Sequence, residues 1–275
     1  MQLAYRRVGS GIPLVLLHGL YGSGDNWMTL ANRLADTCEV WLPDLRNHGR
    51  SPHSSEHTYP AMAHDLHQFF QSHALVSPWI LGHSMGGKVA LHFASLFCDL
   101  PAGLIIADIA PVNYAALTES SEHVLEHLNS MNALSALDLN SALSRQAIEA
   151  QLAGYITHTA LRRFLLKNLY RDAHREWAWR LNLEVLKRAL PHIVNGMDQF
   201  NPASLRSDMP LLFLKGGRSP YVGSAESDYI AHAFGGARIE SCSEAGHWLH
   251  ADAPEWIEAQ IRAAINNRNF SSRII

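Results

Sequence analysis

At 275 residues, 47% hydrophobic and 17% charged, the chain is long enough for one large α/β domain or a core with an inserted subdomain. A formal net charge of −3 offers no basic stripe of the kind nucleic acid requires, and no apolar run approaches the ~18 residues of a membrane span. Three cysteines, Cys38, Cys98 and Cys242, fit neither a zinc site nor a disulfide framework; with no signal-peptide order in Met1–Arg7, a reducing, cytoplasmic setting is expected.

Leu3–Val8 alternates weakly and predicts a short edge strand. Pro13–His18 is a continuous apolar run, the mark of a parallel strand buried on both faces, and it ends in the glycine-rich loop His18-Gly19-Leu20-Tyr21-Gly22-Ser23-Gly24. Asp25 or Asn26 is placed to cap a helix over Trp27–Ala35. Glu39–Leu42 predicts a second buried strand, followed by Pro43–Pro52, a polar turn with no periodicity. Tyr59–Ala74 carries Met62, Leu66, Phe69 and Phe70 near one stripe and predicts a helix. Pro78–Leu81, then Lys88–Phe97, read as strand and helix, and Gly103–Ile109 as another buried strand. Strands alternating with helices mean a parallel sheet covered on both faces.

The alternation stops at Asn113. Through Leu205 no strand is expected, and amphipathic stretches predict helices over Glu122–Met131, Arg145–Ala153, Ala160–Leu169 and Trp177–Ala189. At roughly ninety residues this is too long for an α/β connection, so it reads as a helical insertion with its own packing. The expected division is therefore a core of residues 1–112 and 206–275 and a helical cap of residues 113–205. The sheet resumes with Pro210–Lys215 and Ala237–Ser241, with helices over Ser224–Ala233 and from Pro254 to Asn266 and a frayed tail from Asn269. Seventeen histidines are scattered and read mostly as surface residues. Only His64/His67 and His247/His250 fall at helical spacing, so no metal site is expected.

Between strand and helix lies Gly82-His83-Ser84-Met85-Gly86, which fits the G-x-S-x-G nucleophile elbow, where a sharp turn exposes a serine at the top of a sheet. A serine hydroxyl is a poor nucleophile at neutral pH and needs a base within hydrogen-bond reach. His247, just after the last strand with Gly246 before it, is the candidate. The carboxylate that orients it has three candidates. The loop Gly216–Val222 holds no acid, with Ser219 where one would be looked for; Asp208 precedes its strand and Asp228 falls inside a predicted helix; Asp108 ends the strand next to the elbow strand in chain order and is assigned. Met85, after the nucleophile, supplies one oxyanion N–H, and Leu20 the other, with Tyr21 second choice. His18, Tyr21, His83 and Trp248 are the expected substrate contacts.

The segments His18–Ser23, Asp44–Pro52, Gly82–Lys88, Asp108–Pro111 and Gly246-His247 resemble the α/β-hydrolases over essentially the whole chain, and among them the YbfF-type bacterial esterases; Arg46-Asn47-His48-Gly49-Arg50-Ser51-Pro52 is the most specific match. The resemblance implies an α/β-hydrolase fold with a mostly parallel sheet, an acid after the sixth strand, and hydrolysis of short acyl esters or thioesters; the helical insertion after that strand is expected to form a cap that selects the substrate, and no cofactor is needed. The expected partner is a small-molecule ester. Alternatives on the same fold are a ligand receptor or scaffold with little turnover, or a lyase or C–C hydrolase using the same triad.

Overall fold

The computed structural model describes residues 1–114, 121–140, 142, 144–197 and 200–266, the side chains of 121–124 excepted; the tail from Asn269 lies outside them. Strand β1 (Tyr5–Val8) is followed by β2 (Ile12–Leu17), α1 (Met28–Leu34), β3 (Cys38–Pro43), α2 (Tyr59–Ser72), β4 (Trp79–His83), α3 (Met85–Leu96) and β5 (Gly103–Ala107). After the insertion come β8 (Leu211–Gly216), α8 (Ser224–Ala233), β9 (Arg238–Cys242), α9 (Leu249–Asp252) and α10 (Pro254–Asn266). The seven strands lie in the order β1-β3-β2-β4-β5-β8-β9. Only β1 is antiparallel to its neighbour; the other pairs are parallel. The alternating strand–helix pattern is thus borne out. The strand counted as sixth by the resemblance is β5, fifth along this chain.

The apolar run of β2 splits by period two. Leu14 and Leu16 face a core with Trp27, Leu30 and Ile257, while Val15 and Leu17 face the larger core with α2 and α3. At α1 the sequence expectation shifts. Ser23 caps a 3-10 turn over Gly24–Trp27, its N–H donating to Asn26 Oδ1 at 2.7 Å, and the helix proper starts only at Met28.

The insertion departs from the expectation in two ways. Between α4 (Ser121–Ala136), α5 (Arg145–Ala153), α6 (Thr159–Leu165) and α7 (Leu183–Asn195) lies an antiparallel hairpin, β6 (Leu169–Arg171) and β7 (Trp177–Trp179). Trp177 and Trp179 are β-favouring residues that a helical reading absorbed wrongly. Nor does the insertion pack on its own: Met131, Leu134, Ile148 and Leu186 are buried in the same apolar cluster as α2 and α3.

Two groups of polar residues are buried for one reason. The polar turn after β3 is interior, with Asp44, Arg46, Asn47, His48 and Ser51 all buried, and five histidines, His18, His48, His57, His83 and His92, are buried too. Composition marks such residues as solvent-facing; internal hydrogen bonds are what let them be buried. Among the described residues, no helix is long and apolar enough to cross a membrane.

Candidate active site

The strand order reverses direction at β2, which lies between β3 and β4. At such a switch point the loops leave neighbouring strand ends on opposite faces of the sheet and open a crevice between them. The loop His18–Gly24 leaves β2, and Ser84 leaves β4.

Ser84 sits at φ 53°, ψ −120°, a conformation that costs a non-glycine residue roughly 1–3 kcal/mol. The neighbours make it possible. A Cβ on Gly82 would lie 2.2 Å from the Gly86 carbonyl oxygen, and one on Gly86 would lie 2.6 Å from that of Leu17. Ser84 N–H donates to the Ala107 carbonyl at 3.0 Å, tying the corner to β5. Met85 opens α3, so its N–H has no acceptor within the helix.

Asp108 follows β5, is fully buried, and also has a positive φ of 52°. Its N–H donates to the Leu214 carbonyl, and its Oδ1 accepts from Gly216 N–H at 2.8 Å. Its Oδ2 lies 2.7 Å from His247 Nδ1 and also accepts from the Ser219 hydroxyl. Position 219, where an acid would be looked for, is thus in contact with Asp108. Asp208 is exposed and pairs with Arg206 at 2.5 Å, and Asp228 is exposed on α8. The His247 carbonyl accepts from His83 Nε2 at 2.7 Å, and the Tyr221 ring stacks on the His247 ring with centroids 4.1 Å apart. Burial first, then the charges of His247 and His250, hold His83 well below the usual histidine range, so it is neutral.

The two candidate oxyanion donors from the first loop are separated by their partners. Tyr21, at φ 64°, donates its N–H to His48 Nε2 at 3.3 Å; Leu20 N–H has no acceptor among the described residues. Tyr21 is therefore occupied and Leu20 is available. Two buried histidines hold this loop. His18 Nε2 accepts from Leu45 N–H at 2.9 Å, and the Nδ1 atoms of His18 and His48 lie 2.9 Å from the carbonyls of Gly19 and Arg46. Only neutral rings can accept in this way. Burial pushes His18 down to about 4 and His48 to about 3.

Ser84 and His247 line one cavity of about 250 Å³ at this crevice. His18, Tyr21, His83 and Trp248, the expected substrate contacts, line it too, but the ring nitrogens of His18 and the Nε2 of His83 are bonded to the backbone, so these rings act as wall. The insertion contributes His127, His158 and Phe164, which its amphipathic pattern could not place. Tyr221 and Ser219 were also missed; their only signal was a position in a strand-end loop. A smaller pocket of about 40 Å³ also reaches Ser84, walled by Met85, Ile109, Leu190 and Ile193. Among the described residues, no three His, Cys, Asp or Glu side chains gather as a metal site.

The chain matches the family model described as alpha/beta hydrolase fold over residues 12–254. It is 36% identical to Esterase YbfF of Escherichia coli strain K12, over 93% of both chains. It is also 36% identical to an sn-1-specific diacylglycerol lipase of Mus musculus, over 88% of this chain and 77% of that one. Among solved structures, a marine microorganism esterase superposes with a TM-score of 0.89 at 40% identity, covering 95% of this chain and 98% of that one.

Proposed function

The chain belongs to the α/β-hydrolase fold family, and from that premise we propose that it is a serine hydrolase of carboxylic esters, working through an acyl-enzyme. The observation that carries the reading is the buried Asp108 carboxylate 2.7 Å from His247 Nδ1, with His247 sharing a cavity with Ser84 on its strained corner. The carboxylate fixes the tautomer that leaves Nε2 free as a base and stabilises the imidazolium. Ser84 Oγ attacks the acyl carbon as His247 Nε2 takes its proton. The Leu20 and Met85 N–H groups hold the oxyanion, a contribution often worth several kcal/mol. As the tetrahedral species collapses, His247 protonates the leaving oxygen or sulfur. Water, deprotonated by the same histidine, then attacks the acyl carbon and releases the acid and Ser84. The names of the esterase and lipase relatives support ester chemistry.

The insertion acts as a cap. The small apolar pocket takes the acyl chain and the larger cavity the leaving group, so short acyl groups of about two to six carbons are preferred; at about 40 Å³ the pocket suits a short alkyl tail. Turnover of p-nitrophenyl esters of increasing chain length, with fluorophosphonate labelling mapped to Ser84, tests this. Labelling elsewhere, or best turnover of long-chain triglyceride, would overturn it.

A further inference from the structure

Two rings pack on His247. The His83 ring lies 4.5 Å away, centroid to centroid, at a tilt of 43°, and the Tyr221 ring is stacked at 4.1 Å and 27°. A stack this close to parallel sets the electron-rich face of the phenol against the imidazole. Proton transfer from Ser84 turns that imidazole into a cation, and a cation over an aromatic face is stabilised, more so where water is excluded. Tyr221 lines both the larger cavity and the small apolar pocket, so its ring stands where the two meet Ser84.

Each polar group of Tyr221 is tied down. Its N–H donates to Ser219 Oγ at 3.3 Å, and that hydroxyl donates to Asp108 Oδ2. Its carbonyl accepts from the Tyr114 hydroxyl at 2.6 Å, and the Tyr114 oxygen accepts from Ala110 N–H at 2.8 Å, two residues after Asp108. Its own hydroxyl lies 3.2 Å from His127 Nε2 on α4 of the insertion. Burial, then the charges of Glu126 and Asp108, pushes the phenol up, so a neutral phenol meets His247. Ring, acid and base are thus one assembly, joined to the insertion through His127.

We propose that Tyr221 is a positioning residue for the catalytic base, its ring face holding His247 in place and stabilising the imidazolium that exists while the Ser84 proton is in transit. This rests on the serine-hydrolase reading and adds a residue to it. The other groups around His247 act differently. Asp108, after β5, takes Nδ1. Burial keeps His83 on β4 and His250 on α9 neutral, the latter down at about 4. His18, Glu126, His127 and His158 line the same cavity, and the charge of Lys167 acts on His250. Among the described residues, Tyr221 is the phenol stacked on the base.

The test changes the electronics of the ring and keeps its shape. Tyr221→Phe, and the same substitution made with singly, triply and fully ring-fluorinated phenylalanine, are compared by kcat/KM for p-nitrophenyl butyrate from about pH 5 to pH 9. Fluorine drains the ring face stepwise, and with it the attraction for a cation. Tyr221→Phe should keep the acidic limb of the profile where wild type has it. Full fluorination should lower the plateau about three- to tenfold and move the acidic limb down by at least about half a pH unit. Lower activity with a limb reaching further into acid is a pair of changes that a misplaced ring does not produce. Activity regained at pH 7 after each acid exposure separates titration from unfolding. A limb that stays in place across the fluorinated series overturns the proposal. So does a limb that moves with His127→Gln and not with fluorine, since it would then belong to the histidine of the insertion. If the series leaves the limb in place while wild type cleaves the ester and Ser84 takes a fluorophosphonate, the role of Tyr221 alone fails; if wild type does neither, the serine-hydrolase reading fails with it.

Discussion

The corner at Ser84, half-buried, and the turn Asp44–Ser51, mostly buried, follow parallel strands, β4 and β3, but they use their polar groups in opposite ways. The turn turns them inward. Asp44 takes two backbone N–H groups, Arg46 pairs with Asp65 at 2.6 Å and reaches the Ala61 carbonyl, Asn47 Oδ1 accepts from Ser54 N–H, and Ser51 bonds the Asp44 carbonyl. The corner instead leaves the N–H groups of Met85 and Leu20 free beside the cavity that Ser84 lines. A satisfied buried group stabilises the fold, while an available one in a low-dielectric cavity interacts strongly with charge that develops there. The two regions should therefore respond to mutation in opposite senses, the corner losing rate and the turn losing stability.

The largest effect is expected at the corner. Ser84→Ala should lower ester turnover by at least about 10⁴-fold, nucleophile removal in a serine protease costing about 10⁶, while Tm stays within about 2–4 °C, the shift of a ~1 kcal/mol change in a chain of this size. Turnover of p-nitrophenyl butyrate beside a thermal melt measures both, and an active variant would break the contrast.

Next is the acid. Asp108→Asn should lower kcat at least about a hundredfold, because the amide allows the wrong imidazole tautomer and cannot compensate the cation; the protease precedent is ~10⁴. Asp208→Asn and Asp228→Asn, on exposed side chains, should cost little. Since Ser219 already contacts Asp108 Oδ2, Ser219→Asp in the Asp108→Asn background should restore part of the activity. Activity unaffected by Asp108→Asn but lost with Asp228→Asn would reassign the triad.

The same contrast explains what was legible in the sequence. The parallel strands announced themselves because residues such as Leu14–Leu17 are apolar on both faces. Ser84, His247 and Asp108 were legible because each follows a strand end, where chain order alone restricts the geometry. The burial of the turn Asp44–Ser51 was not legible because it depends on partners distant in sequence: His48 on Tyr21, Arg46 on Asp65, Asn47 on Asn182 of the insertion. The hairpin at Leu169–Trp179 was hidden for a similar reason, its short strands being held by pairing across a turn. Tyr221 gave no sign because stacking on His247 leaves no periodic trace.

The histidines of the turn region make stability pH-dependent in a definite direction. Burial lowers His18 to about 4, His48 to about 3 and His57 to about 2. Each is depressed from about 6.5, so the unfolded chain takes up protons first as pH falls. The stability these neutral rings support is full above about pH 6.5 and is lost progressively towards their folded values, at up to about 1.4 kcal/mol per pH unit for each ring. Tm should therefore fall between pH 7 and pH 5, and His48→Asn should make the fall shallower. His48→Asn should also cost about 1–3 kcal/mol at neutral pH by leaving Tyr21 N–H without its acceptor, and lower kcat about tenfold with KM little changed. A Tm that stays flat down to pH 5 would mean these rings are not held neutral by the fold.

The smallest expected effect joins the two regions. Asn168 of the insertion is buried, and its Nδ2 donates to the Tyr21 carbonyl at 2.7 Å and to the Leu165 carbonyl at 3.1 Å. Tyr21 is thus held at N–H by His48 of the turn and at its carbonyl by the insertion, and the Leu20 N–H beside it inherits its direction from both. Asn168→Ala removes the second hold and should cost about 1 kcal/mol of stability, the net worth of one such hydrogen bond. If the hold also aims Leu20, kcat should fall about three- to tenfold while KM barely moves, because the oxyanion exists in the transition state and not in the bound ester. Asn168→Asp should be worse than alanine on both counts, since a carboxylate would face the Tyr21 carbonyl oxygen with no proton to donate. A change confined to Tm would place Asn168 with the turn, as scaffold. A change in kcat would place it with the corner, with the insertion acting on the chemistry through the backbone of one loop residue.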